Sequence, residues 1–336
     1  MKICVLGAGT WGIALAALLC ANDHNVSVWS AIPSEIDNLV KNGTHPNLPD
    51  IILPKSIYYT KDIEEAAKDS EMILIVVPSS FVRVTTERLV PFLKDGQVLI
   101  TAAKGIEGGS LMTMSEVVCH VLKSLRPELK CSVAALSGPT HAEEVAAGIP
   151  TSIVSACEDE TVSDRIAEAF ANSCMRVYTN TDVKGVEICG AMKNIIAIAS
   201  GILTGMKLGD NTRAMLMTRG IAEITRLGLA MGCKRRTFMG LAGIGDLIVT
   251  CTSRHSRNNR CGELIGRGMT YEEASKEIGM VVEGYHALSA AMELSSKYSI
   301  ELPITEAVHK IIKEGLSPSE AMLTLMTRDL KSELED

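Results

Sequence analysis

Aromatic residues are scarce in this 336-residue chain: Phe, Trp and Tyr together make up 4%, although hydrophobic residues as a whole reach 46%. The interior must then be built largely from alanine, valine and isoleucine, which suits an α/β or helical protein and speaks against disorder. Cys-x-x-Cys pairs and clustered histidines are also missing. The ten cysteines are scattered, so neither a zinc site nor a disulfide framework is signalled and no metal is expected. They read as small buried hydrophobes of a reducing, cytoplasmic compartment. Positive charge is not in excess: the formal net charge of −7 argues against a nucleic-acid footprint, and an anionic ligand has to be met by a local cationic cluster. The second residue already opens an apolar strand, which leaves no room for a signal peptide, and no long uncharged apolar run predicts a membrane span. Repeats, low-complexity tracts and linkers are absent, while the length admits two domains with cores of ordinary size.

What is present begins at the first residues. "MKICVLGAGTWGIALAALLC" passes from an apolar strand through Gly7, Gly9 and Gly12 into an alanine- and leucine-rich helix. This is Gly-x-Gly-x-x-Gly in the context that makes it a dinucleotide site: Gly7 for the tight turn, Gly9 for close approach of a pyrophosphate, Gly12 for helix packing. The helix N-terminus adds unpaired N–H groups and a positive dipole end. The runs "VSVW", "MILIVV", "QVLIT", "SVAALS", "TSIVSA" and "MRVYT" follow at strand–helix spacings. Their fully apolar character predicts a parallel sheet covered on both faces, hence a doubly wound, Rossmann-type α/β domain over residues 1–180. Beyond Thr179 helical periodicity takes over, through "GVEICGAMKNIIAIASGIL" and "NTRAMLMTRGIAEITRLGLAMG", and predicts an all-α domain over residues 181–336.

In an open α/β sheet, ligands gather at the carboxyl ends of the strands. Lys104 stands there after "QVLIT". After "SVAALS" comes "GPTHAEE", in which Pro139 suits a first helical turn and Thr140 has capping-box spacing to Glu143, so that Thr140 reads as a helix cap and a ligand donor at once. In the helical half, "GAMKNIIAIASG" sets Lys193 on one helix face with Cys189, Gly190, Ile196 and Ala197, all small or apolar. Such a lysine either snorkels to water or is half-buried with a lowered pKa and moves protons near neutrality. "GLAGIGDLIVTCTSRHSRNNR" breaks the apolar striping: glycines at 240, 243 and 245 precede Asp246, then Arg254, Arg257 and Arg260 surround Ser256, Asn258 and Asn259. Arginines in a row usually form a solvated patch, but beside a new helix N-terminus they are what a phosphate site requires.

Taken in order, "GAGTWGIALA", "AAKGIE", "SGPTHAEEVAAG", "GAMKNIIAI", "GLAGIGDLIVTCTSRHSRNNR" and "VVEGY" resemble the NAD(P)-dependent glycerol-3-phosphate dehydrogenase family of the bacterial type, across essentially the whole chain. The resemblance implies hydride transfer between a nicotinamide cofactor and the dihydroxyacetone phosphate/glycerol 3-phosphate pair, in the service of phospholipid synthesis. It implies that Lys193 is the general acid/base, Lys104 a second lysine at the reacting oxygen and Asp246 an active-site aspartate. Gly138, Thr140, Ser256, Arg257 and Asn258 would hold substrate together with the lysines, Arg257 and Asn258 at its phosphate. Thr10, Trp11, Ala142, Val281 and Glu283 would line the cofactor beside Gly7, Gly9 and Gly12, with Lys104 and Arg257 also approaching it. Two lysines near one alcohol disfavour each other's charge, and Asp246 would offset the pair and orient Lys193.

At the end of "VSVWS" neither a ribose-binding acid nor an arginine for a 2′-phosphate follows, and Ala31 stands where many relatives carry a basic residue. NAD is therefore the expected cofactor, with NADP the alternative. Rival readings are another two-domain dehydrogenase of the β-hydroxyacid or 6-phosphogluconate type, which would lack the segment from Asp246 to Asn258, or a silent NAD-sensing protein, in which Lys193, Lys104 or Asp246 would be lost. The expected partner is a small-molecule substrate, with no nucleic acid and no membrane span; a homodimer is left open.

Overall fold

The computed structural model describes residues 1–330, 332 and 333; the end of the expected helical domain, 331 and 334–336, lies outside the described residues. Among the described residues a single sheet contains β1 (Lys2–Leu6), β2 (Asn25–Trp29), β3 (Tyr58–Thr60), β4 (Met72–Ile75), β5 (Val98–Thr101), β6 (Ser132–Ser137), β7 (Thr151–Ala156) and β8 (Met175–Asn180). Its order is β3-β2-β1-β4-β5-β6-β7-β8. The first six strands are mutually parallel and follow the doubly wound arrangement, whose switch point falls between β1 and β4. Ile3, Val5, Val28, Leu74 and Ile100 pack into one apolar cluster, and Cys4, Leu6, Ile73, Ile75 and Leu99 into another. Alternate residues of each strand thus face opposite layers, and both faces being covered explains the unbroken apolar runs.

The parallel expectation fails at the edge, where β7 runs antiparallel to β6. Between them lies only a short helix, Ala142–Ala146. Its five residues rise about 8 Å, against about 20 Å for a six-residue strand, too little to carry the chain back for a parallel return. The strand β3 was not expected either, because its "YYT" is three residues long and half exposed, with no apolar run to betray it.

The helices of this part are α1 (Thr10–Ala21), α2 (Pro33–Asn42), α3 (Ile63–Ala67), α4 (Val82–Leu89), α5 (Met114–Leu125), α6 (Ala142–Ala146) and α7 (Glu160–Phe170). After β8 come α8 (Val183–Gly205), α9 (Asp210–Ala230), α10 (Arg235–Phe238), α11 (Asp246–Thr252) and α12 (Arg257–Gly266). The described chain closes with α13 (Tyr271–Ile278), α14 (Glu283–Tyr298), α15 (Pro303–Glu314) and α16 (Pro318–Met326). One compact unit consists of Met1–Gly190 with Cys233–Asp246, the other of Ala191–Gly232 with Leu247–Asp336. This differs from a simple division at 180/181, because 233–246 returns to the sheet unit. Asp182 secures that return: it accepts from Lys234 N at 2.8 Å and from Thr237 Oγ1 at 2.6 Å.

Helix α8 has the length and apolar composition to cross a membrane, contrary to the expectation that no run would, yet its most apolar window is wholly buried inside the protein. A helix apolar on every side is a core helix in such a setting. In the helical unit α8 meets α12 backbone to backbone. A Cβ on Gly201 would overlap the carbonyl oxygen of Asn259, and one on Gly262 that of Ile198; Gly205 and Gly266 repeat the contact one turn on.

Two buried glutamates hold helix starts that are distant in sequence. Glu187 accepts from Ser115 N at 2.8 Å and Ser115 Oγ at 2.5 Å at the head of α5, and Glu223 accepts from Ile304 N and Thr305 N, each at 3.1 Å, at the head of α15. Burial pushes each carboxyl up to about 7. The ten cysteines are all reduced.

Candidate active site

At the carboxyl end of β1, Gly7 makes the tight turn and Gly12 the close helix packing that their spacing predicts. Gly7 has φ of +127°, and a Cβ there would stand 2.8 Å from Val76 O; its N–H donates to Trp29 O at 2.8 Å. A Cβ on Gly12 would overlap Gly7 O, so α1 can approach the turn only with glycine there. Gly9 differs: nothing lies within 4 Å of its Cβ position. It is the N-cap of α1, with no side-chain cap, and the first helical bond runs from Ile13 N to Gly9 O. The N–H groups of Thr10, Trp11 and Gly12 therefore precede the ladder, beside open space that a larger residue would fill. A pyrophosphate fits this cradle. Asn47 Nδ2 donates to Thr10 Oγ1 at 2.9 Å and steadies the rim.

Along the same rim Lys104 Nζ lies 2.7 Å from Asp246 Oδ2 and 3.3 Å from Gly138 O. The Lys104 side chain is 16% exposed and that of Asp246 1%, so this is an interior ion pair, in which loss of either partner strands a charge. Asp246 is positioned by a π-helical turn, Leu241–Gly245, immediately before it. Gly190 leaves room for the lysine stem: its Cβ position is 3.4 Å from Lys104 Cγ and 3.2 Å from Ser137 Oγ. Thr140 is not the cap that its spacing suggested. The helix begins two residues later, at Ala142, with His141 as N-cap, because the Thr140 hydroxyl donates to Gly138 O at 3.2 Å instead. Ala142, half-buried, packs against the adjoining apolar cluster.

In the helical unit Lys193 is 6% exposed, which excludes the snorkelling reading. Its Nζ donates to Thr250 Oγ1 at 2.7 Å. Ser256 is the N-cap of α12, its Oγ accepting from Asn259 N at 3.2 Å. Asn258 Oδ1 accepts from Gly284 N at 2.9 Å, leaving its amide N–H₂ as the group with which it can donate to a ligand. Arg257 occupies the first helical position and is half-buried, whereas Arg254 and Arg260 are exposed. Glu283, at the head of α14, accepts from Asn194 Nδ2 at 3.0 Å, so Asn194 ties α14 to the helix that carries Lys193. Val281, just before, is exposed.

Sequence reasoning passed over two features. Thr250 follows Asp246 by one helical turn, a spacing that could have drawn attention to it. Ser137 Oγ and Thr101 Oγ1, at the carboxyl ends of β6 and β5, are buried without a hydrogen-bond partner among the described residues, an arrangement that a bound polar group would satisfy.

A model of the NAD-dependent glycerol-3-phosphate dehydrogenase N-terminus matches residues 2–163, and a model of the C-terminus of the same family matches residues 182–323. A glycerol-3-phosphate dehydrogenase [NAD(P)+] of Lactobacillus delbrueckii is 52% identical over 333 residues, covering 99% of each chain. One from Bacillus subtilis is 44% identical and covers 100% of this chain and 96% of its own. The crystal structure of glycerol-3-phosphate dehydrogenase from Coxiella burnetii superimposes with a TM-score of 0.92 at 38% identity, covering 97% of this chain and 99% of that one.

Proposed function

The chain belongs to the NAD-dependent glycerol-3-phosphate dehydrogenase family, and from that premise we propose which of its residues carry the reaction. The reaction is reversible hydride transfer between NAD(P)H and dihydroxyacetone phosphate, giving sn-glycerol 3-phosphate, which in this family feeds glycerophospholipid synthesis. The nicotinamide, when bound, supplies or takes the hydride.

Lys193 is the general acid/base. In the reducing direction its ammonium passes a proton to the carbonyl oxygen as that oxygen becomes an alkoxide; in the oxidising direction its amine takes the hydroxyl proton. The Thr250 hydroxyl, accepting from Nζ at 2.7 Å, fixes where the nitrogen stands. Lys104 polarises the same oxygen, its charge balanced by Asp246 at 2.7 Å. Gly138 and Thr140 hold the substrate backbone, and Arg257, with Asn258 and the capped start of α12, holds the phosphate. Gly9 and the N–H groups of Thr10, Trp11 and Gly12 hold the pyrophosphate, and Ala142, Val281 and Glu283 line the rest of the cofactor. Cytoplasmic residence and a homodimer belong to the same proposal and rest on the resemblance.

The observation that carries this reading is the burial of an amine in the middle of an apolar helix with its nitrogen bonded to a hydroxyl. Lys193→Met is expected to lower turnover with dihydroxyacetone phosphate about 10²- to 10⁴-fold, the range for a positioned general acid/base. Binding of NADH and the melting temperature should stay close to wild type. Near-normal turnover of the folded variant, followed by NADH absorbance, would remove Lys193 from the chemistry.

A further inference from the structure

The carboxyl end of β2 holds an acid that linear spacing conceals. Glu35 lies five residues beyond Ser30, in the first turn of α2. Pro33 starts that helix directly after the strand exit, and the turn brings Glu35 back: Ile32 N donates to Ser30 Oγ at 3.1 Å, and Ser30 Oγ donates to Glu35 Oε2 at 2.5 Å. Glu35 Oε1 has no hydrogen-bond partner among the described residues. The same strand end is tied to the glycine turn through the bond from Gly7 N to Trp29 O, 2.8 Å. His45 is buried nearby, where burial moves its pKa down against the opposing pull of the Glu35 charge and of its bond with the Ala8 backbone in that turn.

The neighbouring bases do not stand free beside Glu35. Lys61 pairs with Asp37 at 2.6 Å. Arg88 lies over the Trp29 ring, 5.0 Å from its centroid; Trp29 belongs to one apolar layer of the sheet, whereas Val28 and Ile36, next to Glu35, belong to the other. Ala31 and Ile32, exposed at the strand exit, bring no charge.

We propose that Glu35 sets the cofactor choice of this chain: its open carboxylate oxygen accepts from the 2′-hydroxyl of the adenosine ribose and repels a 2′-phosphate, so that the protein selects NADH over NADPH. Carboxylates at the end of the second strand serve this purpose in dinucleotide folds when they come directly from the strand; here the same charge arrives from the following helix, oriented by Ser30. The proposal rests on the family reading for the presence of a dinucleotide.

The test is equilibrium titration of the intact protein with NADH and with NADPH, without substrate, following nicotinamide fluorescence. Wild type is expected to bind NADH at least about tenfold more tightly, and Glu35→Gln, which keeps the shape and removes the charge, to narrow that ratio about tenfold or more. Ser30→Ala should weaken NADH while discrimination against NADPH persists, because the charge remains. Equal affinities in wild type, or a ratio unmoved by Glu35→Gln, would overturn the proposal alone. Failure of both cofactors to bind the folded protein would overturn the family reading and the proposal with it.

Discussion

Arg257→Ala separates a phosphate-binding arginine from a surface one. The guanidinium is half-buried at the first position of α12, and no salt bridge among the described residues engages it. A substrate dianion would be its counter-charge, and truncation would leave that dianion with Asn258 and the helix start alone. Loss of a charge-assisted contact of this kind costs about 2 to 5 kcal/mol. Because the capped helix terminus survives in the variant, the lower part of the range, about 2 to 4 kcal/mol, is expected, which is a loss of roughly 30- to 900-fold in kcat/KM for dihydroxyacetone phosphate. The fold should lose less than about 1 kcal/mol, since no buried partner is abandoned. Unphosphorylated dihydroxyacetone provides the control: it should be a very poor substrate, yet the variant should slow it far less. NADH affinity, measured separately, tells whether the cofactor contributes to the effect. Equal losses on both substrates, or a loss on dihydroxyacetone phosphate worth under about 1 kcal/mol, would refute the phosphate role and make Arg257 a surface residue.

Gly201→Ala should destabilise the helical unit by about 1 to 3 kcal/mol or more, because its Cβ would overlap Asn259 O where two backbones touch; a melting temperature equal to wild type would show that α12 can move aside. Glu187 predicts a pH dependence. Its folded pKa is raised from 4.5 to about 7 by burial, so the fold retains a proton that the unfolded chain has already released. This favours the fold below pH 4.5, fades as pH rises from 4.5 to 7, and leaves a penalty of about 3 kcal/mol above pH 7. Glu187→Gln lacks that titration, so its stability relative to wild type should improve by about 3 kcal/mol between pH 4.5 and 8 in urea unfolding; a pH-independent difference would contradict the raised pKa.

The glycine turn, the strands of the doubly wound core and the apolar helix around Lys193 were all legible in the sequence, because each depends on residues within a turn or two of one another. The misreadings have the same origin. Thr140 has the spacing of a cap, but its hydroxyl finds Gly138 O first. The chain after β6 resembles every other strand–helix segment until the shortness of α6 forces β7 to run the other way. Length and composition alone leave helix α8 open to a reading as a membrane span, and only its complete burial makes it a core helix.

By itself the sequence determined that a dinucleotide-type sheet comes first and a helical region second, and which residue types are available for proton transfer and anion binding, since periodicity and turn chemistry are local properties. Only the tertiary structure decided what those residues do to one another. Lys104 meets Asp246 across 142 positions, Lys193 meets Thr250 across 57, and Glu187 reaches Ser115 across 72. Glu35 is only five positions from Ser30, yet it too needed the fold, because whether a carboxylate ends up at a strand exit depends on where Pro33 starts the helix and how its first turn lies on the sheet. Interactions of this kind are set by the packing of whole elements, and burial then decides whether a charge in them is tolerated, paired or protonated.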